Sequence, residues 1–239
     1  MEHETKKKSE FRVNLLDHDV RNVFNNISSS IELCKIFLKD SHEMDKVSEQ
    51  FNIMNAQIAR GIILMSNVRK LYLFNETSGT TNPTDFYSIL KEAINFIQKN
   101  FQDRENNINI ESLDENGYVN ADELILDIFE NILINSILHN FNSVITILIK
   151  ITETQKSNKK FIKFEFIDNG IGISDARKRK MFGGDHNKDK NIKGLGFGLS
   201  LVKKIVERYQ GEIWIEDRIK GDYTKGTNFI ILIPKAVET

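Results

Sequence analysis

Two apolar stripes near the N-terminus constrain this chain more than any other feature. Leu16, Val20, Val23, Ile27, Ile31, Cys34 and Leu38 step by four or three, as do Val47, Phe51, Met54, Ile58, Ile62, Met65, Val68 and Tyr72. That spacing is one face of an α-helix. The polar stretch Asp40-Ser41-His42-Glu43 separates them, so two long helices joined by a short loop form an antiparallel hairpin. Neither helix can bury its whole stripe against one partner, which predicts that two copies pack as a four-helix bundle, a homodimer. With only Pro83 and Pro234 in 239 residues, long uninterrupted helices are expected.

The turn formers of Asn75–Pro83 mark a linker, and the pattern changes after it. The expected domains are 1–76, the helical hairpin; 77–84, the linker; and 85–239, a mixed domain. In that last part helices are expected at about Asp85–Arg104, Ala121–Asn140 and Phe197–Tyr209. Strands are expected at Asn107–Glu111, Gly117–Val119, Val144–Thr154, Lys159–Ile167, Glu212–Glu216 and Thr227–Ile233, with a hairpin turn at Gln155–Asn158. The fold class is α+β: a helical hairpin followed by an α/β sandwich of one sheet covered by helices.

Lys and Arg number 33 against 34 Asp and Glu, a formal net charge of -1, which gives no electrostatic footprint for nucleic acid. The single cysteine, Cys34, permits no intrachain disulfide, and no Cys/His spacing suits zinc. That cysteine usage suits a reducing interior, so a cytoplasmic setting is expected, and no run is apolar enough to span a membrane.

Five groups of residues carry chemistry. His18 lies off the apolar stripe, with Asp19 beside it and Arg21 and Asn22 one turn on. An imidazole whose second N–H is held by a carboxylate is competent to accept a phosphoryl group, although the same pattern alone also describes an ordinary surface histidine. Asn131 and Asn135 stand one helical turn apart, with Asp127 a turn earlier. Amide oxygens so spaced can converge on a hydrated Mg²⁺, or simply hydrogen-bond at a helix surface. Asp168-Asn169-Gly170-Ile171-Gly172 follows a strand and offers an acceptor for an exocyclic amine beside backbone that a flat ring can approach; a plain Asn-Gly turn is the other reading. Lys193-Gly194-Leu195-Gly196-Phe197-Gly198-Leu199 runs into a helix, which suits a phosphate cradle. Between these two glycine groups, Ser174–Ile192 reads as a lid with Gly183 and Gly184 as hinges, and Arg177–Lys180 as its solvated basic face.

In this order, His18-Asp19-x-x-Asn22, Asn131-x-x-x-Asn135, Asp168-x-Gly170-x-Gly172, Gly194-x-Gly196-x-Gly198 and Gly226-Thr227 resemble the H, N, G1, G2 and G3 boxes of sensor histidine kinases, over about Phe11 to Pro234. The resemblance implies an ATP-dependent protein-histidine kinase of a two-component system. His18 would be the phosphoacceptor and Asp19 the residue that orients it. Asn135, helped by Asn131, would hold Mg²⁺, and Asp168 would recognise adenine. Gly170, Gly172, Lys193, Gly194, Gly196, Gly198, Leu199 and Thr227 would complete the ATP site. Asn22 would serve a phosphatase activity, and the partner would be a response-regulator receiver domain. A nucleotide-binding phosphorelay scaffold without catalysis and an ATP hydrolase of the gyrase-like superfamily are the competing readings. Two positions depart from the family pattern: Val23 stands where proline is common, and Leu138 where lysine is common, with Lys193 a candidate replacement.

Overall fold

The computed structural model describes residues 2–39, 43–54, 57–58, 61, 65, 80–102, 104–112, 117–182 and 196–236, without the side chains of 2–19, 180, 182, 196 and 197. The chain divides into two compact units, the main boundary falling between Thr77 and Ser78.

In the first unit, α1 (Glu2–Phe37) runs unbroken for 36 residues, Val23 included. It pairs with α2 (44–54), and helical backbone recurs at 57–58, 61 and 65. The pairing is antiparallel. Cys34 packs with Val47 and Met54 beside Ile27 and Phe37, Asn26 donates to Gln57 at 3.3 Å, and Val23 Cγ1 lies beside Gly61.

The expected stripe is divided between two environments. Val23, Cys34, Val47 and Met54 are buried within the hairpin, whereas Ile31, Leu38, Phe51, Ile58 and Met65 are exposed. Phe24, which the stripe omitted, is 65% exposed. Phe24, Ile31 and Leu38 recur every seven residues, as do Phe51, Ile58 and Met65, so each helix presents a heptad row that its hairpin partner leaves uncovered.

The second unit opens with β1 (Asn82–Asp85), which pairs antiparallel with β3 (Tyr118–Ala121). Asp85 then caps α3 (Phe86–Asn100), its carboxylate accepting from Tyr87 N at 3.0 Å and Ser88 N at 3.2 Å. The buried face of α3 is Phe86, Leu90, Ala93, Ile94 and Ile97, the i, i+4, i+7 pattern of an amphipathic helix. In contrast, α4 (Ile125–Leu138) is buried nearly all round, Asp127, Asn131 and Ser136 included. It starts four residues later than its periodicity suggests, because Ala121 belongs to β3.

The main sheet has the order β2-β4-β5-β7-β6, from β2 (Asn106–Ser112), β4 (Ile145–Lys156), β5 (Lys159–Asp168), β6 (Glu212–Ile219) and β7 (Asp222–Pro234). β2 pairs parallel with β4, and the other pairs are antiparallel. The β4–β5 connection is tighter than expected, a two-residue loop with Ser157 at φ 48 and Asn158 at φ 61, the twist that suits a right-handed hairpin.

Alternation sends Ile147, Ile149, Ile151, Phe164 and Phe166 to one face. There Phe164 meets Phe86 edge-on at 5.2 Å between ring centroids, and Phe129 at 5.3 Å. This aromatic cluster joins α3 and α4 to the middle of the sheet. Two further helices follow, α5 (Asp175–Phe182) and α6 (Gly196–Arg208), of which the second unit holds α6 from Leu199 on. Just beyond α6, the Tyr209 hydroxyl donates to the Asp122 carboxylate, and Arg208 pairs with the same carboxylate at 2.9 Å. The end of α6 is thereby tied to the entry of α4. Burial and the Asp122 carboxylate together push the Tyr209 hydroxyl well above the usual phenol range, so it stays a donor.

Candidate functional site

The last residue of β5 is Asp168, 4% exposed. Its Oδ1 accepts from the backbone N–H of Gly170 at 2.8 Å and of Thr227 at 3.2 Å, and its Oδ2 from the Ser136 hydroxyl at 3.5 Å. One carboxylate therefore gathers β5, β7 and α4. Burial pushes its pKa up to about 6, against the downward pull of those three hydrogen bonds and of the Arg218 charge.

The glycines around it answer to chain packing. A Cβ on Gly170 would lie 2.8 Å from the His139 carbonyl oxygen, and one on Gly172, at φ +68, 1.5 Å from that of Tyr223. The second contact arises from a bulge: between the pairs Asp217–Thr227 and Ile219–Asp222, Arg218 on β6 opposes Tyr223, Thr224, Lys225 and Gly226 on β7. The extra length lays β7 across the loop after Asp168, backbone on backbone. The shape of the main chain after Asp168 is thus set by these contacts.

Asn169, which reads in sequence as a turn residue, holds the loop from the other side. Its Oδ1 accepts from Asn140 Nδ2 at 2.6 Å and Thr146 N at 2.9 Å, and its Nδ2 donates to the Val144 carbonyl at 3.0 Å. Asn142 Nδ2 donates to the backbone carbonyl of Asn169. Arg104 donates to the carbonyls of Ile137 and Asn140 at the end of α4. Sequence reading missed Ser136, Asn140, Asn142, Asn169 and Arg104. The one signal available was a serine next to an asparagine in the otherwise apolar run Ile132–Leu138.

On α4, Asn131 Nδ2 donates to the Asp127 carbonyl and Asn135 Nδ2 to the Asn131 carbonyl, each at 2.7 Å. Both amide nitrogens thus turn back along the helix, and an amide oxygen is the kind of donor that a hard, partly hydrated cation takes. Asn135 is half-buried and Asn131 is buried, so Asn135 is the better placed of the two. Ser136, its neighbour, touches Asp168, so the structure brings the asparagine helix and the carboxylate together.

Gly196 is the first residue of α6, Gly198 its third, and Leu199 is buried. Lys193, Gly194, Gly183 and Gly184 lie outside the described residues. So do the side chains of His18 and Asp19, whose backbone belongs to α1; Asn22 is half-buried on the same helix. The expected basic face is only partly solvated. Arg177 and Arg179 are exposed, but Lys178 reaches Asp217 of β6 and also pairs with Asp175 at 3.1 Å.

Residues 120–237 match the family described as histidine kinase-, DNA gyrase B- and HSP90-like ATPases, whose domain binds ATP. An uncharacterized sensor-like histidine kinase, ycf26, of Porphyra purpurea is 29% identical over 90% of this chain and 34% of its own length. The adaptive-response sensory kinase SasA of Synechocystis is 25% identical over 92% of this chain and 57% of its own. The chain thus spans about a third to somewhat over half the length of these relatives. Among solved structures, the histidine kinase ThkA in complex with the response regulator protein TrrA shares the fold at a TM-score of 0.57 and 19% identity, covering 98% of this chain and 66% of that one. Residues 120–237 are thus a histidine kinase-, DNA gyrase B- and HSP90-like ATPase domain, and over 90% or more of its length the chain is similar to sensor histidine kinases.

Proposed function

We propose that the chain is the catalytic core of an ATP-dependent protein-histidine kinase. The observation that carries this reading is the Asp168 carboxylate, buried where β5, β7 and α4 meet, with Asn135 one residue from the serine that touches it. A buried carboxylate with one oxygen committed to backbone N–H groups keeps the other for an exocyclic amine, which selects adenine. Asn135, with Asn131 behind it, would hold Mg²⁺, whose chemistry there would be to neutralise charge on the phosphates. Gly170, Gly172 and Thr227 shape the base end. Lys193, Gly194, Gly196, Gly198 and Leu199 border the phosphate end at the start of α6.

The acceptor is His18. One imidazole nitrogen attacks the γ-phosphorus in line, the bond to the ADP oxygen breaks with its electron pair on ADP, and the proton on the other nitrogen is held by Asp19. The segment that precedes β1 links the two parts, so that their relative movement governs transfer. The phosphoryl group then passes to an aspartate of a receiver domain, and Asn22 orients a water that hydrolyses the product. The exposed heptad rows on α1 and α2 support a homodimer, the near-neutral charge argues against nucleic acid as a partner, and the single cysteine supports a cytoplasmic setting. None of the described helices is long and apolar enough to cross a membrane.

Incubation with radiolabelled Mg-ATP tests the assignment. The wild-type chain is expected to gain an acid-labile label that His18→Gln lacks while still binding nucleotide. Label in that variant would overturn the role of His18, and an unlabelled wild-type chain would overturn the kinase reading.

A further inference from the structure

The two oxygens of Asp168 are unequal. Oδ1 takes two backbone N–H groups, from Gly170 and Thr227, whereas Oδ2 takes the hydroxyl of Ser136. A serine within a helix ordinarily returns its hydroxyl to the carbonyl four residues back. That of Ser136 reaches instead across to the end of β5, thirty-two residues away in sequence. Ser136 is 3% exposed on a helix of mostly isoleucine and leucine, where a hydroxyl is costly unless it finds a partner. Its partner is the oxygen that a ligand would use.

We propose that Ser136 is a positioning residue for the base: by donating to Oδ2 it fixes the rotation of the Asp168 carboxylate, so that a remaining lone pair of that oxygen meets the 6-amino group of an adenine nucleotide. This rests on the assignment of Asp168 to the base and deepens it. A carboxylate oxygen carries about two lone-pair sites, so one hydroxyl and one amine can share it. Without the hydroxyl, the carboxylate keeps its Oδ1 bonds but gains freedom to swing Oδ2. It also loses a donor that favours the charged form, the form able to accept an amine. Adenine selection then belongs to α4 as much as to β5, and the helix that holds the metal-side asparagine also sets the acceptor for the base.

The test compares Mg-ADP with the diphosphate of purine riboside, which has the same ring without the amino group. Affinities are measured by calorimetry on the full chain, on Ser136→Ala and on Asp168→Asn. Alanine is the best helix former, so the first variant keeps α4. The wild-type chain is expected to prefer ADP and Asp168→Asn to lose that preference. Ser136→Ala is expected to lose about fivefold of it, the scale of one ordinary hydrogen bond, through ADP alone. A parallel loss for both nucleotides would mark Ser136 as merely structural and overturn the proposal. A preference kept in Ser136→Ala but lost in Asp168→Asn would overturn the role of Ser136 and leave that of Asp168 standing. Equal affinity of the wild-type chain for both nucleotides would overturn the Asp168 assignment and the proposal with it.

Discussion

Gly226 and Asp168 touch through their main chains: a Cβ on Gly226, which has φ +118, would stand 2.0 Å from the Asp168 carbonyl oxygen. The residue after Gly226 supplies one of the two N–H groups that hold the Asp168 carboxylate. The fit of β7 against the end of β5 therefore sets the acceptor itself.

Gly226→Ala is expected to cost about 3 kcal/mol or more of stability, from a positive φ that suits only glycine together with a contact that backbone must move to relieve. Nucleotide affinity should fall with it, because Thr227 N leaves Asp168. Chemical denaturation and calorimetry on the same preparation check both. Gly221→Ala makes the control: it also has a positive φ, at +85, but nothing lies within 4 Å of its Cβ position, so it should lose stability while keeping affinity.

The raised pKa of Asp168 has a definite sign. The folded chain holds this proton up to about pH 6, whereas an ordinary aspartate releases it near 3.8. Between those values the unfolded chain loses the proton first, so the contribution of Asp168 to stability falls as pH rises from about 4 to 6 and is level above. Asp168→Asn keeps an oxygen for Gly170 and Thr227 and removes the buried charge. The nucleotide-free variant is expected to be more stable than wild type at pH 7, by up to about 3 kcal/mol, with the gain absent at pH 4. Urea titrations at the two pH values decide this. Wild-type ADP affinity should fall below pH 6, as the acceptor becomes protonated.

Lys178 and Asp217 form an ion pair in which both side chains are only 14% exposed. It fastens α5, the helix after the Asp168 loop, to the bulged end of β6. Breaking such a pair from one side leaves a desolvated charge, so Asp217→Asn is expected to cost about 2 kcal/mol. Amide exchange should quicken in α5 more than in the rest of the second unit, and equal quickening throughout would show that the pair does not anchor α5.

The two exposed heptad rows predict that Phe51→Glu yields a monomer, since a second copy would have to bury that carboxylate. Sedimentation equilibrium of wild type and variant reads this directly. Lys46→Glu, on an exposed position of the same helix, should leave the wild-type state unchanged.

Local chemistry was legible in the residues themselves. The helical period of α1, the alternation Ile162, Phe164, Phe166 and the polar hairpin turn are all properties of residues close together along the chain. The order of the five motifs led to the family. What could not be read were bonds that join residues far apart. Asn169 looks like a turn residue because its partners, Asn140, Val144 and Thr146, come from a different connection. The short strand β1 was hidden inside a linker-like composition because it exists only by pairing with β3. The start of α4 moved to Ile125 because Ala121 was claimed by the same pairing.

By itself, then, the sequence determined most of the helices and strands, which residues are apolar, and which residue types are available to bind a nucleotide, because these depend on neighbours along the chain. Only the tertiary structure decided that Gly172 and Gly226 serve a crossing of two backbones, that Lys178 is an anchor, and that Ser136 meets Asp168. Each of these depends on packing between elements whose separation in sequence says nothing about their distance in space.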